Sequence, residues 1–215
     1  MHRISAWVTA GFAAAMVIMQ PDPSRAAASD SEFWVTAGGQ GQVADDTSLG
    51  MRVENRRRDG TDDWILGAVV GVKLAETINL GVGLDVQETD GFTEVRNFQQ
   101  LTFTRGRFDL RSRIEERFFD NAERMSLRLR QRIRYQQPIA QGTSGQLSAE
   151  LLYQARDRTV GGPSRIDQWR FITAVSRRLN ERLSLTGGYL LIIRPRPDGA
   201  TRHTHIPQLT LSTKF

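Results

Sequence analysis

The run ERMSLRLRQRIRYQ, residues 123–136, constrains the fold more than any other stretch of the chain. Met125, Leu127, Leu129, Ile133 and Tyr135 share one parity, and Arg124, Arg128, Arg130, Arg132 and Arg134 share the other. A helix would scatter both sets around its axis, whereas a strand, with its period of two, puts them on opposite faces. Such a strand has one apolar face and one face carrying a row of like charges. Its fold must find an apolar partner or lipid for the first and counter-charges for the second.

The same period recurs from Glu32 onward. INLGVGLDVQE (78–88) sets Leu80, Val82, Leu84 and Val86 against Gly81, Gly83, Asp85 and Gln87. RLSLTGGYLLI (182–192) groups Leu183, Leu185, Tyr189 and Leu191. Turn signals such as RDGTD (58–62), ETDG (88–91), QGTSG (141–145) and RPDGA (196–200) separate the runs. Strands are expected near 32–43, 47–57, 63–74, 78–88, 96–105, 107–118, 123–136, 146–156, 166–178, 182–194 and 203–215, which is eleven. Single-chain bacterial outer-membrane barrels have even counts. Roughly 16 residues per strand plus connection gives about twelve. The segment FDLRSRIEERFFDNAER (108–124) fits a helix stripe through Leu110, Ile114 and Phe118 as well as it fits alternation. The all-β surroundings favour strand.

Three features place the apolar face in lipid and the charged face inside a closed barrel. The first is the N-terminus. His2 and Arg3, an apolar run from Trp7 to Met19, Pro21, Pro23 and the run Ala26, Ala27, Ala28 are laid out as a secretory signal cut after Ala28. The apolar run is shorter than the roughly 20 residues that cross a bilayer as a helix. The expected division is therefore a signal peptide over 1–28 and a barrel over 29–215, with the bacterial outer membrane as destination. The second feature is strand length, well beyond the roughly five or six residues usual in soluble sheets. The third is the last strand, IPQLTLSTKF, with Leu209, Leu211 and Phe215 on one parity. Pro207 shares that parity and lacks an N–H, so it belongs near a rim or at a bulge. Trp34, Trp64, Trp169, Tyr135 and Tyr153 lie near strand ends, as interface girdle residues would.

Composition narrows the functions. The formal net charge is +5, and the only lysines are Lys73 and Lys214, so the positive charge is nearly all arginine. Arginine forks pair bidentately with carboxylates in crowded polar interiors. Glu54, Asp85, Glu94, Glu115, Glu150 and Asp167 are the candidate partners. An exported chain with no basic helix or aromatic RNA-binding signature gives no reason to expect nucleic acid. With no cysteines, disulfides and thiolate metal sites are excluded.

These arginine motifs resemble the domain-of-unknown-function family 2490, a group of predicted outer-membrane β-barrels, over nearly all of the chain beyond residue 28. EVRNFQQL (94–101) is similar to the family's E-x-R-x-x-Q-Q-L, giving Glu94, Arg96, Gln99 and Gln100. RSRIEER (111–117), RLRQRIRYQQPI (128–139) and IDQWR (166–170) resemble its R-x-R-L-E-x-R, its arginine ladder ending in Pro, and its D-Q-x-R. Trp34, GGY at 187–189 and His205 complete the order. AELLYQ (149–154), the strand holding Glu150, and Leu84 in the fourth strand depart from the pattern. Pattern and resemblance together give an expected lumen-facing polar network of Arg52, Glu54, Arg56, Glu94, Arg96, Gln100, Arg111, Arg113, Glu115, Arg117, Arg128, Arg130, Arg132, Arg134, Glu150, Asp167, Gln168, Arg170 and His205.

Catalytic constellations are poorly represented. Beyond residue 28 the only histidines are His203 and His205, and Ser212 on the same run lies too far along a strand to reach His205. Ser184 and Ser148 are further candidates that nothing singles out. Two imidazoles without a clustered carboxylate make a poor metal site. The expectation is an all-β antiparallel transmembrane barrel of about twelve strands (10–12), non-enzymatic and without cofactor. Its partners would be outer-membrane lipid and, through the strand ending at Phe215, the assembly machinery. It would be a structural barrel or a narrow pore for small solutes, anions among them; whether the lumen is plugged or open stays undecided. The alternatives are an outer-membrane acyl hydrolase and a soluble periplasmic ligand-binding β-sandwich.

Overall fold

The computed structural model describes residues 28–215. The expected leader lies outside these residues, apart from Ala28. Twelve strands follow in order: β1 (Ala28–Ser31), β2 (Phe33–Ala44), β3 (Thr47–Arg58), β4 (Thr61–Ala75), β5 (Ile78–Thr89), β6 (Phe92–Arg105), β7 (Phe108–Phe119), β8 (Ser126–Ala140), β9 (Thr143–Arg156), β10 (Arg165–Arg178), β11 (Leu183–Pro195) and β12 (Thr201–Lys214). From β2 to β12 each strand pairs with the next, and β12 returns to β2, closing a barrel. The eleven wall strands correspond one for one to the eleven alternating runs of the sequence. The ambiguous segment is strand β7, where alternation gives Arg111, Arg113 and Glu115 partners on both flanking strands.

Closure departs from the even count usual in bacterial barrels. An antiparallel meander with an odd number of strands finishes running in the direction it started. It can close only through a parallel seam, and β12 pairs with β2 in parallel from Gln208↔Trp34 to Lys214↔Gln40. The extra strand β1 extends this seam. Ala28↔Arg202 and Trp34↔Gln208 keep one register, so β1 and β2 form one line against β12. That line breaks opposite Pro207. Glu32 N–H donates to the His205 carbonyl at 3.0 Å. The reciprocal bond would come from the amide of residue 207, which as proline has no hydrogen. Pro207 thus occupies a place where the ladder does without a bond.

Alternation decides what each face meets. Leu66, Val70, Leu80, Val82, Leu101, Leu110 and Ile133 are exposed on the outer wall, with Trp64 and Trp169 among them. Trp34 is a correction to the expected girdle. It points inward, 5 % exposed, because β2 directs Trp34, Thr36 and Gly38 to the interior. There it packs with Leu190, Ile192, Ile206 and Ile172 in an apolar cluster beside the seam. The opposite interior wall, β5 to β9, carries the buried charges Asp85, Glu94, Arg96, Arg113, Glu115, Arg128, Arg130 and Glu150. At this level the lumen is filled, since Glu115, Leu152, Ile192 and Ile206 are each 0 % exposed.

Toward the rim that carries Phe215 the interior opens. A cavity of about 360 Å³ is bounded by Gly38, Gly50, Arg52, Ser184, Thr210 and Lys214. Small residues on β2 to β5 leave this space unfilled. Turns at this rim are short, at residues 45–46, 76–77, 106–107, 141–142 and 179–182. The opposite rim has the longer connections 120–125, 157–164 and 196–200.

Candidate functional site

The inward charges form one connected lattice rather than isolated pairs. Glu115 lies at its centre, accepting from Arg128 at 2.6 Å and Arg130 at 2.7 Å, with Arg113 at 3.5 Å and Arg96 at 4.0 Å. Arg96 also reaches Glu94 at 2.8 Å and Asp85 at 3.4 Å. Glu94 in turn binds Arg117 through both oxygens, at 2.6 and 2.9 Å. Glu150 holds Arg130 at 2.7 Å and Arg111 at 2.7 Å. Asp85 takes Arg52 at 3.0 Å. This last pair fits because residue 67 is glycine: a Cβ there would stand 2.4 Å from Asp85 Oδ1.

The lattice follows from register. Glu115↔Arg128 and Arg113↔Arg130 are direct cross-strand neighbours on β7 and β8, and Arg130 joins β8 to β9 through Glu150. Each carboxylate sits where two or three forks converge, so most lone pairs are used by charge-assisted bonds. Arrangements of this kind are weak evidence for stability, because desolvation offsets much of the attraction. They are strong determinants of shape, because removing one member leaves the others buried without a counter-charge.

The expected network residues divide as follows. Arg52, Glu54, Arg56, Glu94, Arg96, Gln100, Arg111, Arg113, Glu115, Arg117, Arg128, Arg130, Arg132, Arg134, Glu150, Gln168 and Arg170 share the inward parity of their strands. Glu54 binds Arg56 at 2.6 Å, and Gln100 accepts from Arg113 Nε at 3.0 Å. Asp167 is the residue skipped by a register shift between Ile166 and Gln168, and it reaches Arg128 at 3.7 Å. His205 is the correction. On β12 it shares the parity of Pro207, Leu209 and Leu211 and faces outward, where its Nδ1 meets the Tyr189 hydroxyl. The inward positions beside it are Thr204 and Ile206, both fully buried. Ser212 points inward, so His205 and Ser212 lie on opposite sides of the wall.

The expected network left out Asp109, Gln87 and Gln154, and Trp34 was expected in the girdle rather than inside. Asp109 pairs with Arg134 and accepts from Thr104; its parity, shared with Arg111 and Arg113, was the available signal. Trp34 lies under the Arg56 guanidinium, 3.9 Å from ring centroid to carbon, with Arg170 at 5.9 Å. A cation stacked on an indole retains favourable electrostatics away from water.

A closed barrel of eleven antiparallel-wound strands, sealed inside by arginine–carboxylate lattice and apolar cluster, is the class that fold and site define. Within that class the chain belongs to the family described as "Protein of unknown function (DUF2490)", whose match covers residues 31–203. No curated protein matched the chain.

Proposed function

We propose that the protein is a non-enzymatic barrel of the bacterial outer membrane, closed to steady flow and open at one rim to small anions. One observation carries this reading: on the same strands the outer wall is mostly apolar while the interior carries arginines and carboxylates joined in ion pairs, the reverse of a soluble barrel. No helix among the described residues is long and apolar enough to cross a membrane, so strands would have to do so. Outer-membrane barrels keep short turns on the periplasmic side and longer loops outside. By that rule the cavity beside Lys214 opens to the periplasm. It is lined by Arg52 and Lys214 without a carboxylate, so anions would be favoured there.

The test has two parts. Cell fractionation and heat-modifiable gel mobility should place the full chain in the outer membrane as a folded barrel; a freely soluble periplasmic protein would sink the reading. In planar bilayers the wild type should show little steady conductance. Large, stable porin-like channels would show that the lattice is not a seal. Phospholipid hydrolysis abolished by His205→Ala would overturn the non-enzymatic part.

A further inference from the structure

One register line crosses four strands with Arg111 on β7, Arg132 on β8, Glu150 on β9 and Arg170 on β10. All four face inward, so three cations share a row with one carboxylate. That carboxylate is shared between Arg111 of the row and Arg130 outside it. Glu150 Oε1 accepts from Arg111 at 2.7 Å and from Arg130 Nε at 3.1 Å, and Oε2 accepts from Arg130 at 2.7 Å. Asp109, the next inward carboxylate toward the Phe215 rim on β7, is taken by Arg134 and Thr104. Arg132 is left between two acids already bound by other arginines and directly opposite Arg111. Among the described residues neither Arg132 nor Arg170 forms an ion pair, although both flank Glu150 across the sheet.

The unmet demand is visible atom by atom. The Nε groups of Arg111, Arg132 and Arg170 are each buried without an acceptor. Like charges directly opposite one another on adjacent strands repel. Arginine cannot relieve this by giving up its proton. Arg111, Arg132 and Arg170 each keep a small part of their surface exposed, about 11 % for Arg111.

We infer that the facing pair Arg111 and Arg132 is a binding site for one small oxyanion of carboxylate or phosphate type, with Arg170 adding to the attracting field. Planar guanidinium forks present paired donors to such oxygens. Glu150 and Asp109 border the site and limit it to a small ligand with concentrated charge. The inference deepens the proposed reading by naming a ligand class for the interior, and rests on that reading only for the side of entry.

The test uses the full chain refolded in a non-ionic, phosphate-free detergent, with inorganic phosphate as probe and chloride at equal ionic strength as control. Phosphate should raise the melting temperature saturably in the wild type. Arg132→Gln should abolish that rise. It should also melt higher than the wild type in phosphate-free buffer, because it removes repulsion and breaks no bond to the protein. Arg178→Gln, at the rim, should respond as the wild type does. Three outcomes would overturn the site: no phosphate effect beyond chloride, an equal effect in Arg132→Gln, or failure of Arg132→Gln to fold. Repeating the titration in phospholipid vesicles separates free phosphate from lipid phosphate, since an effect of added phosphate that persists there belongs to the free ion; its disappearance would overturn the free-ion site. A soluble barrel that still binds phosphate through Arg132 would refute the membrane reading and leave the site standing. A membrane barrel indifferent to phosphate would do the opposite.

Discussion

Glu115 shows what one residue decides in this interior. It is wholly buried and gathers Arg113, Arg128 and Arg130 within 3.5 Å. Glu115→Gln keeps the shape and removes the charge. We expect it to lower stability by about 3–5 kcal/mol, the range for breaking a buried ion pair and leaving its partners uncompensated; urea unfolding of the refolded barrel measures this. At the seam, Phe215 N–H donates to the Gln40 carbonyl at 3.2 Å and the residue lies over Gly41, where a Cβ would come 2.1 Å from the Phe215 main-chain oxygen and 2.6 Å from its ring. Gly41→Val should therefore displace the Phe215 backbone together with its ring, at a cost of about 1–3 kcal/mol from overpacking, read by urea unfolding. Deletion of Phe215 should impair assembly more than deletion of a loop tip, as followed by the yield of the heat-modifiable form.

Among elements, β12 is the most constrained, since it pairs antiparallel with β11 and parallel with β1 and β2. Pro207 interrupts the parallel ladder at one bond. Pro207→Ala supplies the missing donor to Glu32, and that new amide should be protected in hydrogen exchange, with a gain of about 0.5–1.5 kcal/mol. An unprotected amide would mean that β1 does not continue β2. Strands β6 to β8 carry a different anomaly. Asn97, Gln99, Glu116 and Gln131 face outward between apolar neighbours such as Val95, Leu101, Ile114 and Ile133. Glu116 is opposite Asn97, and only Ser112 and Gln131 in this patch bond to each other, at 2.7 Å. If this wall meets lipid, Glu116→Leu should stabilise the barrel in vesicles by up to about 2 kcal/mol, since acids on a lipid face cost less than Arg or Lys but still cost. Destabilisation instead would show that the patch has a polar partner.

For the molecule as a whole, the odd strand count has a consequence for topology. The beginning of β1 lies at the rim with long connections, and Phe215 at the rim with short turns. A barrel with an even count returns both ends to one side; this one cannot. In outer membranes a short epitope before Asp30 should be reached by antibody on intact cells, while one after Phe215 should not. Both tags on the same side would contradict the parallel seam.

All eleven wall strands and their inward and outward faces could be read from the chain, because a period of two is a local property and the arginine rows left no doubt which residues travel together. The same parity placed His205 outward with Pro207 and Leu209, and the motif order misled where the alternation did not. What no local pattern contains is how the ends meet. Parallel closure follows from the odd number of strands, and the packing of Trp34 against Leu190, Ile192 and Ile206 from the return of β12 to β2. Arg111, Arg132 and Arg170 looked in sequence like any other members of the ladder. Only the register of β7 to β10 left them gathered around a single glutamate that Arg111 and Arg130 already share, because which residues stand opposite one another depends on the turns and bulges that join the strands and not on the parity within any one of them.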